Sequence, residues 1–222
     1  MWFGPDSTSS LSRTGRRPDP ATPEASDGVG IRSAARLKSK RQRLCGKVGQ
    51  VQGAGVIVFG PFTKDLDRLT FTCGKEELDH WFRYMAGQQE RDNTARTIFG
   101  MDERQVRVAS FYTLVATRLE VAEVEGTALG SKYPVSAILL ARLAVHVEYQ
   151  GEGLGKRTLL YALANLAGVS EQVGFEVVVV DAIDDEAVGF YQKYGFRQLS
   201  DDGRRLFLTT KDLRKTFTRP EE

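Results

Sequence analysis

QGEGLG, from Gln150 to Gly155, closes an apolar run (AILLARLAVHV, Ala137 to Val147) and opens an apolar-periodic helix that begins near Leu154. This order places a loop of bare backbone where a strand meets a helix N-terminus. Amides at a helix start have no intrahelical acceptor and carry the positive end of the helix dipole, and glycines at 151, 153 and 155 let an anion come close to the backbone. The spacing suits a pyrophosphate. Two better-known phosphate loops do not fit: counting back from Gly155-Lys156, a P-loop needs a glycine where Gln150 stands and a hydroxyl where Arg157 stands. The dinucleotide fingerprint needs glycine or alanine at the position of Lys156.

What remains is Gln-x-x-Gly-x-Gly. Some thirty residues on, a β-branched run from Glu176 to Val180 leads to Asp181-Ala182 and then to DDEAVGFYQKYGF, Asp184 to Phe196. The two motifs, in this order, resemble the GNAT superfamily of acyl-CoA-dependent N-acetyltransferases. The resemblance implies a GNAT fold, with a central, mostly antiparallel, splayed sheet flanked by helices, and acetyl-CoA as co-substrate with no metal.

By the same resemblance, backbone groups of the segment Leu143, Ala144 and Val145 would pair with the pantetheine arm. The loop Gln150, Gly151, Glu152, Gly153, Leu154 and Gly155 would hold the pyrophosphate, with Lys156 or Arg157 adding charge. Tyr191 would be the general acid at the departing thiolate, a role open to a phenol because it stays protonated at neutral pH. Tyr194, before Gly195, is its nearest rival and reads as a packing aromatic. No residue presents itself as a general base. His146 and Glu148 end the central strand, where a histidine bonded to backbone is the plainer reading, and His80 reads as helix surface.

Composition is consistent with one sizeable globular core. The chain has 222 residues, 41% hydrophobic and 27% charged, with no internal repeat. Its two cysteines, Cys45 and Cys73, form no CxxC, which argues against a disulfide scaffold or a zinc cluster and for a reducing, cytoplasmic setting. No apolar stretch approaches a membrane span and no signal-peptide core is evident, so no membrane role is expected. The net charge of +2 conceals an imbalance. Residues 1–55 hold ten Lys/Arg against four Asp/Glu, and residues 56–222 hold 21 against 25. Lys193 to Arg219, with eight Lys/Arg and three Asp, reads as a nucleic-acid patch or as a solvated face with a basic tail.

Two regions follow from these patterns. Residues 1–55 read as a disordered basic extension. Their stretch RSAARLKSKRQR (Arg32 to Arg43) is open to three readings: a nucleic-acid arm, an amphipathic helix, or translated sequence upstream of the true start. Residues 56–222 read as a single α/β domain with a mixed sheet: a first strand near VIVFGPF, then a helix with Leu78, Trp81, Phe82 and Met85 on one face. Strands follow at Thr94–Gly100 and Arg107–Ala116, and loop at 120–134. Ala137–Val147 reads as a strand covered on both faces, the next helix carries Leu159, Leu160, Leu163 and Leu166 and runs to about Gly174, and a last strand spans Arg205–Thr210.

The blocks FTCGKEELDHWF, ERDNTARTIFG, ASFYTLVAT and LLARLAVHVEYQGEGLGKRTLLYAL together resemble the GNAT toxins of bacterial toxin–antitoxin pairs, over about residues 58–213. That resemblance implies acetylation of the α-amine of aminoacyl-tRNA, which blocks translation, and silencing by a ribbon-helix-helix antitoxin; homodimers are frequent in the branch. Arg83, Arg91, Arg96, Arg142, Arg204 and Arg205, with Arg214 and Lys215, are the candidate tRNA contacts. A small-molecule or protein amine is the alternative acceptor.

Overall fold

The computed structural model describes residues 56–63, 66–103, 107–127, 129–199 and 203–217. The reading of residues 1–55 as a disordered extension therefore lies outside the described residues.

Seven strands form one sheet in the order β1-β2-β3-β4-β5-β7-β6. They are β1 (Ile57–Pro61), β2 (Arg96–Asp102), β3 (Arg107–Leu119), β4 (Val135–Val145), β5 (Val177–Asp181), β6 (Arg197–Gln198) and β7 (Arg205–Thr209). Every neighbouring pair is antiparallel except β4 with β5. That parallel pair needs a crossover, and α4 (Leu154–Val169) supplies it. The mixed, mostly antiparallel sheet agrees with expectation.

The helix expected after Cys73 is built in three pieces: α1 (Glu76–His80), a π-helical turn (Trp81–Met85) and α2 (Ala86–Arg91). Its apolar stripe packs Trp81, Phe82 and Ala86 against Phe71, Phe111 and Ala144 on one face of the sheet. On the opposite face α4 buries Leu159, Leu163 and Leu166 against Val178, Val180, Leu206 and Leu208. Two further helices, α5 (Asp185–Gln192) and α6 (Thr210–Phe217), share that face through Tyr191 and Leu213.

Four expectations need correction. Residues 120–134 contain a short helix, α3 (Val121–Val124), closed by a capping box between Glu120 and Glu123. The crossover helix stops at Val169 rather than near Gly174, where Arg214 donates to the Ser170 hydroxyl and carbonyl. The C-terminal basic stretch includes a helix anchored by Leu213. Strand β4 is also not covered throughout: beyond Leu140 only Ala144 is buried, and Leu143 and Val145 remain half-exposed. Among the described residues no helix is long and apolar enough to cross a membrane.

Candidate active site

The half-exposed end of β4 borders a split in the sheet. Strands β4 and β5 pair only from Ala137↔Val177 to Leu139↔Val179, yet β4 continues to Val145 and β5 to Asp181. At the split the register with β3 jumps from Leu114↔Leu140 to Thr113↔Arg142, so Ala141 is an extra, bulged residue. The His146 N–H donates to the Ala109 carbonyl at 2.9 Å, toward β3. Backbone groups alternate along an antiparallel ladder, so those of Ala144 also face β3 and those of Leu143 and Val145 face the gap.

Gln150 guards the end of this edge. Its Nε2 donates to the carbonyls of Val145 (3.0 Å) and Cys73 (2.9 Å). The Val145 carbonyl is thereby engaged. Tyr149, in the 3₁₀ turn Val147–Tyr149, donates its hydroxyl to Asp102 on β2 at 2.9 Å, and burial, with the carboxylate beside it, pushes that phenol up to about 12. The loop is thus pinned on both sides before the glycines begin.

Gly151 (φ 79°) and Gly153 (φ 75°) are both left-handed, and Gly153 is the N-cap of α4. Nothing lies within 4 Å of the Cβ that either lacks, so the space over the loop is open. Gly155 differs: a Cβ there would meet Val145 Cγ2 at 3.7 Å. Leu154 is buried with Ile57, Ala109 and Tyr149 and anchors the helix start, while Glu152 and Lys156 are exposed. Arg157 Nε is buried with no hydrogen-bond partner among the described residues.

Tyr191 approaches from α5. Asp184 caps this helix by accepting the Ala187 N–H at 2.9 Å, and the Tyr191 ring packs edge-on against Phe190 and Phe196 within the cluster that holds Leu140 and Val180. The side chain is 9% exposed, and burial pushes its hydroxyl up to about 12. No described residue hydrogen-bonds that hydroxyl. Tyr194 instead closes the turn, its N–H donating to the Tyr191 carbonyl at 2.9 Å. Sequence reasoning missed one contact: Lys75 Nζ lies 3.4 Å from Asp184, joining the segment before α1 to the N-cap of α5. No motif marks it, because its partners are 109 positions apart.

The remaining candidates separate by their partners. His146 is buried between the rings of Phe71 and Tyr149, and its Nδ1 accepts the Glu148 N–H at 3.2 Å. Glu148 pairs with Arg107, and His80 is an exposed neighbour of Tyr84. Arg83 donates twice to the Phe71 carbonyl (3.0 and 2.6 Å), and Arg205 bridges Asp181 (2.7 and 3.0 Å) and Glu123 (2.6 Å). Arg96 bonds Glu90 and Asn93 in a local turn, Arg204 bonds Asp185 and the Ile183 carbonyl, and Lys215 pairs with Asp212. Arg91 is exposed at a hollow of about 360 Å³ shared with Phe62 and Arg68. Arg142 stacks on Trp81.

Residues 109–198 match the acetyltransferase (GNAT) domain, a span that holds the split, the loop and Tyr191. A "tRNA-acetylating toxin" of Mycobacterium tuberculosis is 32% identical over 152 residues, 68% of this chain and 90% of that protein. Two solved structures, each 26% identical over 73% of this chain, are similar in fold. One is AtaTR bound with AcCoA (TM-score 0.62, 98% of that chain). The other is a mutant AtaT toxin bound to the C-terminus of the antitoxin AtaR (TM-score 0.64, 99% of that chain). With the open strand edge, the glycine-capped helix and these relatives together, the chain belongs to the GNAT acetyltransferases and is an N-acetyltransferase that takes acetyl-CoA as its donor.

Proposed function

We propose that this enzyme acetylates the α-amine of aminoacyl-tRNA in the cytoplasm, so acting as a toxin that blocks translation, and that a ribbon-helix-helix antitoxin silences it. The observation that carries the reading is the kinship with a tRNA-acetylating toxin over nine-tenths of that protein's length. Antitoxin control is supported by the likeness to a toxin bound to its antitoxin.

The donor lies along β4 as a further strand. Its amides meet the free backbone groups of Leu143 and the N–H of Val145, and its pyrophosphate meets the N–H groups of Gly151, Gly153 and Gly155, with Lys156 and Arg157 supplying charge. Arg157 suits this role because its buried Nε has no partner among the described residues. Tyr191 holds a proton at the sulfur. A phenol held at about 12 does not surrender that proton outright to a thiolate whose own pKa is near 8.5. It passes the proton to sulfur only as the carbon–sulfur bond breaks, while the newly acylated nitrogen returns its own proton to the phenol oxygen, leaving amide and coenzyme A thiol. No protein base is required when the amine is an α-amine of pKa about 8 or lower, a useful fraction of which is already neutral near physiological pH.

One observation favours a different acceptor, a small-molecule or protein amine: residues 56–222 carry 25 acidic against 21 basic side chains, and several arginines are held by internal carboxylates. The test is to offer labelled acetyl-CoA with charged tRNA, uncharged tRNA and peptide amines side by side. Label on charged tRNA alone is the expected result, and label on peptides with none on charged tRNA overturns the proposal.

A further inference from the structure

Arg142 differs from the other arginines on this face. Its guanidinium is half-buried 4.0 Å from the centre of the Trp81 ring and makes no hydrogen bond or ion pair with a described residue. A guanidinium carries five N–H donors, and withdrawing them from water without acceptors is unfavourable. Burial accordingly lowers its hold on the proton.

Two irregularities of the backbone put it there. The bulge at Ala141 shifts the alternation of β4, so that Arg142 and Ala144 face the α1 side of the sheet while Leu143 faces α4. Trp81, its platform, opens the π-helical turn, an irregularity common at functional sites. The indole is 6% exposed and its Nε1 has no hydrogen-bond partner among the described residues. Phenylalanine would keep a ring at that position without an orphaned donor, so hydrogen bonding does not account for tryptophan, whereas tryptophan is the best aromatic platform for a cation.

The side of approach follows from the fold. Tyr191, α4 and α5 cover one face of the split, so an acceptor amine must reach the thioester from the other, where Arg142 and Trp81 lie. We propose that Arg142, held flat by Trp81, binds a phosphate of the nucleotide that carries the acceptor amine. With one face of the guanidinium against the indole, its in-plane donors form the fork that two phosphate oxygens match. Trp81 is the positioning residue. This inference rests on the aminoacyl-tRNA reading and narrows it to the acceptor's terminal nucleotide.

The test compares three acceptors: charged tRNA, an aminoacyl-adenosine bearing a 5′-phosphate, and the same nucleoside without it. The parent enzyme favours the phosphorylated form by roughly tenfold or more in kcat/KM, as expected for a charge-assisted contact. Arg142→Gln brings that ratio close to one without changing acetyl-CoA affinity, and Arg142→Lys restores part of it. Trp81→Phe reduces the ratio through KM rather than kcat. If the parent acetylates charged tRNA and Arg142→Gln keeps the full ratio, the phosphate assignment is wrong. A parent enzyme that leaves charged tRNA unlabelled overturns the underlying function instead.

Discussion

The side-chain nitrogen of Gln150 lies 3.0 Å from the carbonyl oxygen of Val145 and donates to it, occupying an acceptor on the strand edge that borders the split. The same nitrogen reaches Cys73 at 2.9 Å, so one amide ties the phosphate loop both to β4 and to the segment before α1. Gln150→Ala should cost about 1–2 kcal/mol, the worth of two ordinary hydrogen bonds, and weaken acetyl-CoA binding. Gln150→Glu should be worse, because a carboxylate cannot donate to either carbonyl. Chemical denaturation and calorimetry check both; stability of both variants equal to the parent's would remove the donor role.

Gly153 and Gly155 should respond differently to alanine. At Gly153 the backbone is left-handed and the space above is open, so alanine is strained by about 1–2 kcal/mol without any clash. At Gly155 the added methyl makes ordinary contact with Val145, so Gly155→Ala should fold nearly as well as the parent. Thermal melts distinguish the two, and equal losses at both positions would contradict the loop geometry.

Tyr191→Phe should keep acetyl-CoA affinity and lower kcat by roughly 10²–10⁴-fold, the usual contribution of a positioned acid. The pH profile provides an independent check. Burial raises the Tyr191 pKa to about 12, so the acid keeps its proton throughout the working range, and kcat/KM for the acceptor should rise as the amine loses its proton and then stay level past pH 9. A decline beginning near pH 8 would assign the acid to another group.

Asp79 predicts an acid-sensitive contribution to stability. It is 3% exposed and accepts the Cys73 N–H at 2.7 Å and the Thr72 hydroxyl at 2.8 Å. Burial works against its charge, but bonds from Cys73 and Thr72 and the nearby Arg83 outweigh it and hold the carboxyl below its ordinary value of 3.8. A depressed folded pKa stabilises above the unfolded value and loses that effect as pH falls through the folded one, so the window lies below about pH 4. Asp79→Asn should cost about 1–3 kcal/mol at pH 7, with the gap to the parent narrowing toward pH 3 in denaturant titrations.

The parts of the fold visible in the sequence are those with strong local signals. The Gln150–Gly155 loop, the crossover helix and the β5–α5 step showed themselves by glycine spacing and by period, and the structure has them at those positions. The π-helical turn did not, because Leu78, Trp81, Phe82 and Met85 satisfy a helical stripe whether or not one turn is wider. Neither glycine nor proline marks the bulge at Ala141, which is set by pairing with β3. Helix α6 was hidden by its charge, since only Leu213 is buried in a segment rich in lysine and arginine. The same limit applied to the cations: the eight candidate basic residues look alike as letters, and only their partners separate Arg205, held by two carboxylates, from Arg142, stacked on a ring.

Three residue pairs join β4 to β5, fewer than at any seam except that of the two-residue edge strand β6, and this is where the donor is expected to lie. A molecule that completes a ladder on one lip and fills the space before the other acts as mortar as well as reagent. Loading and rigidity then become a single event. Slowed amide exchange should spread from Leu143 to Val180 together once donor is added, and a chain starved of coenzyme should be softer along this line than anywhere else in its core.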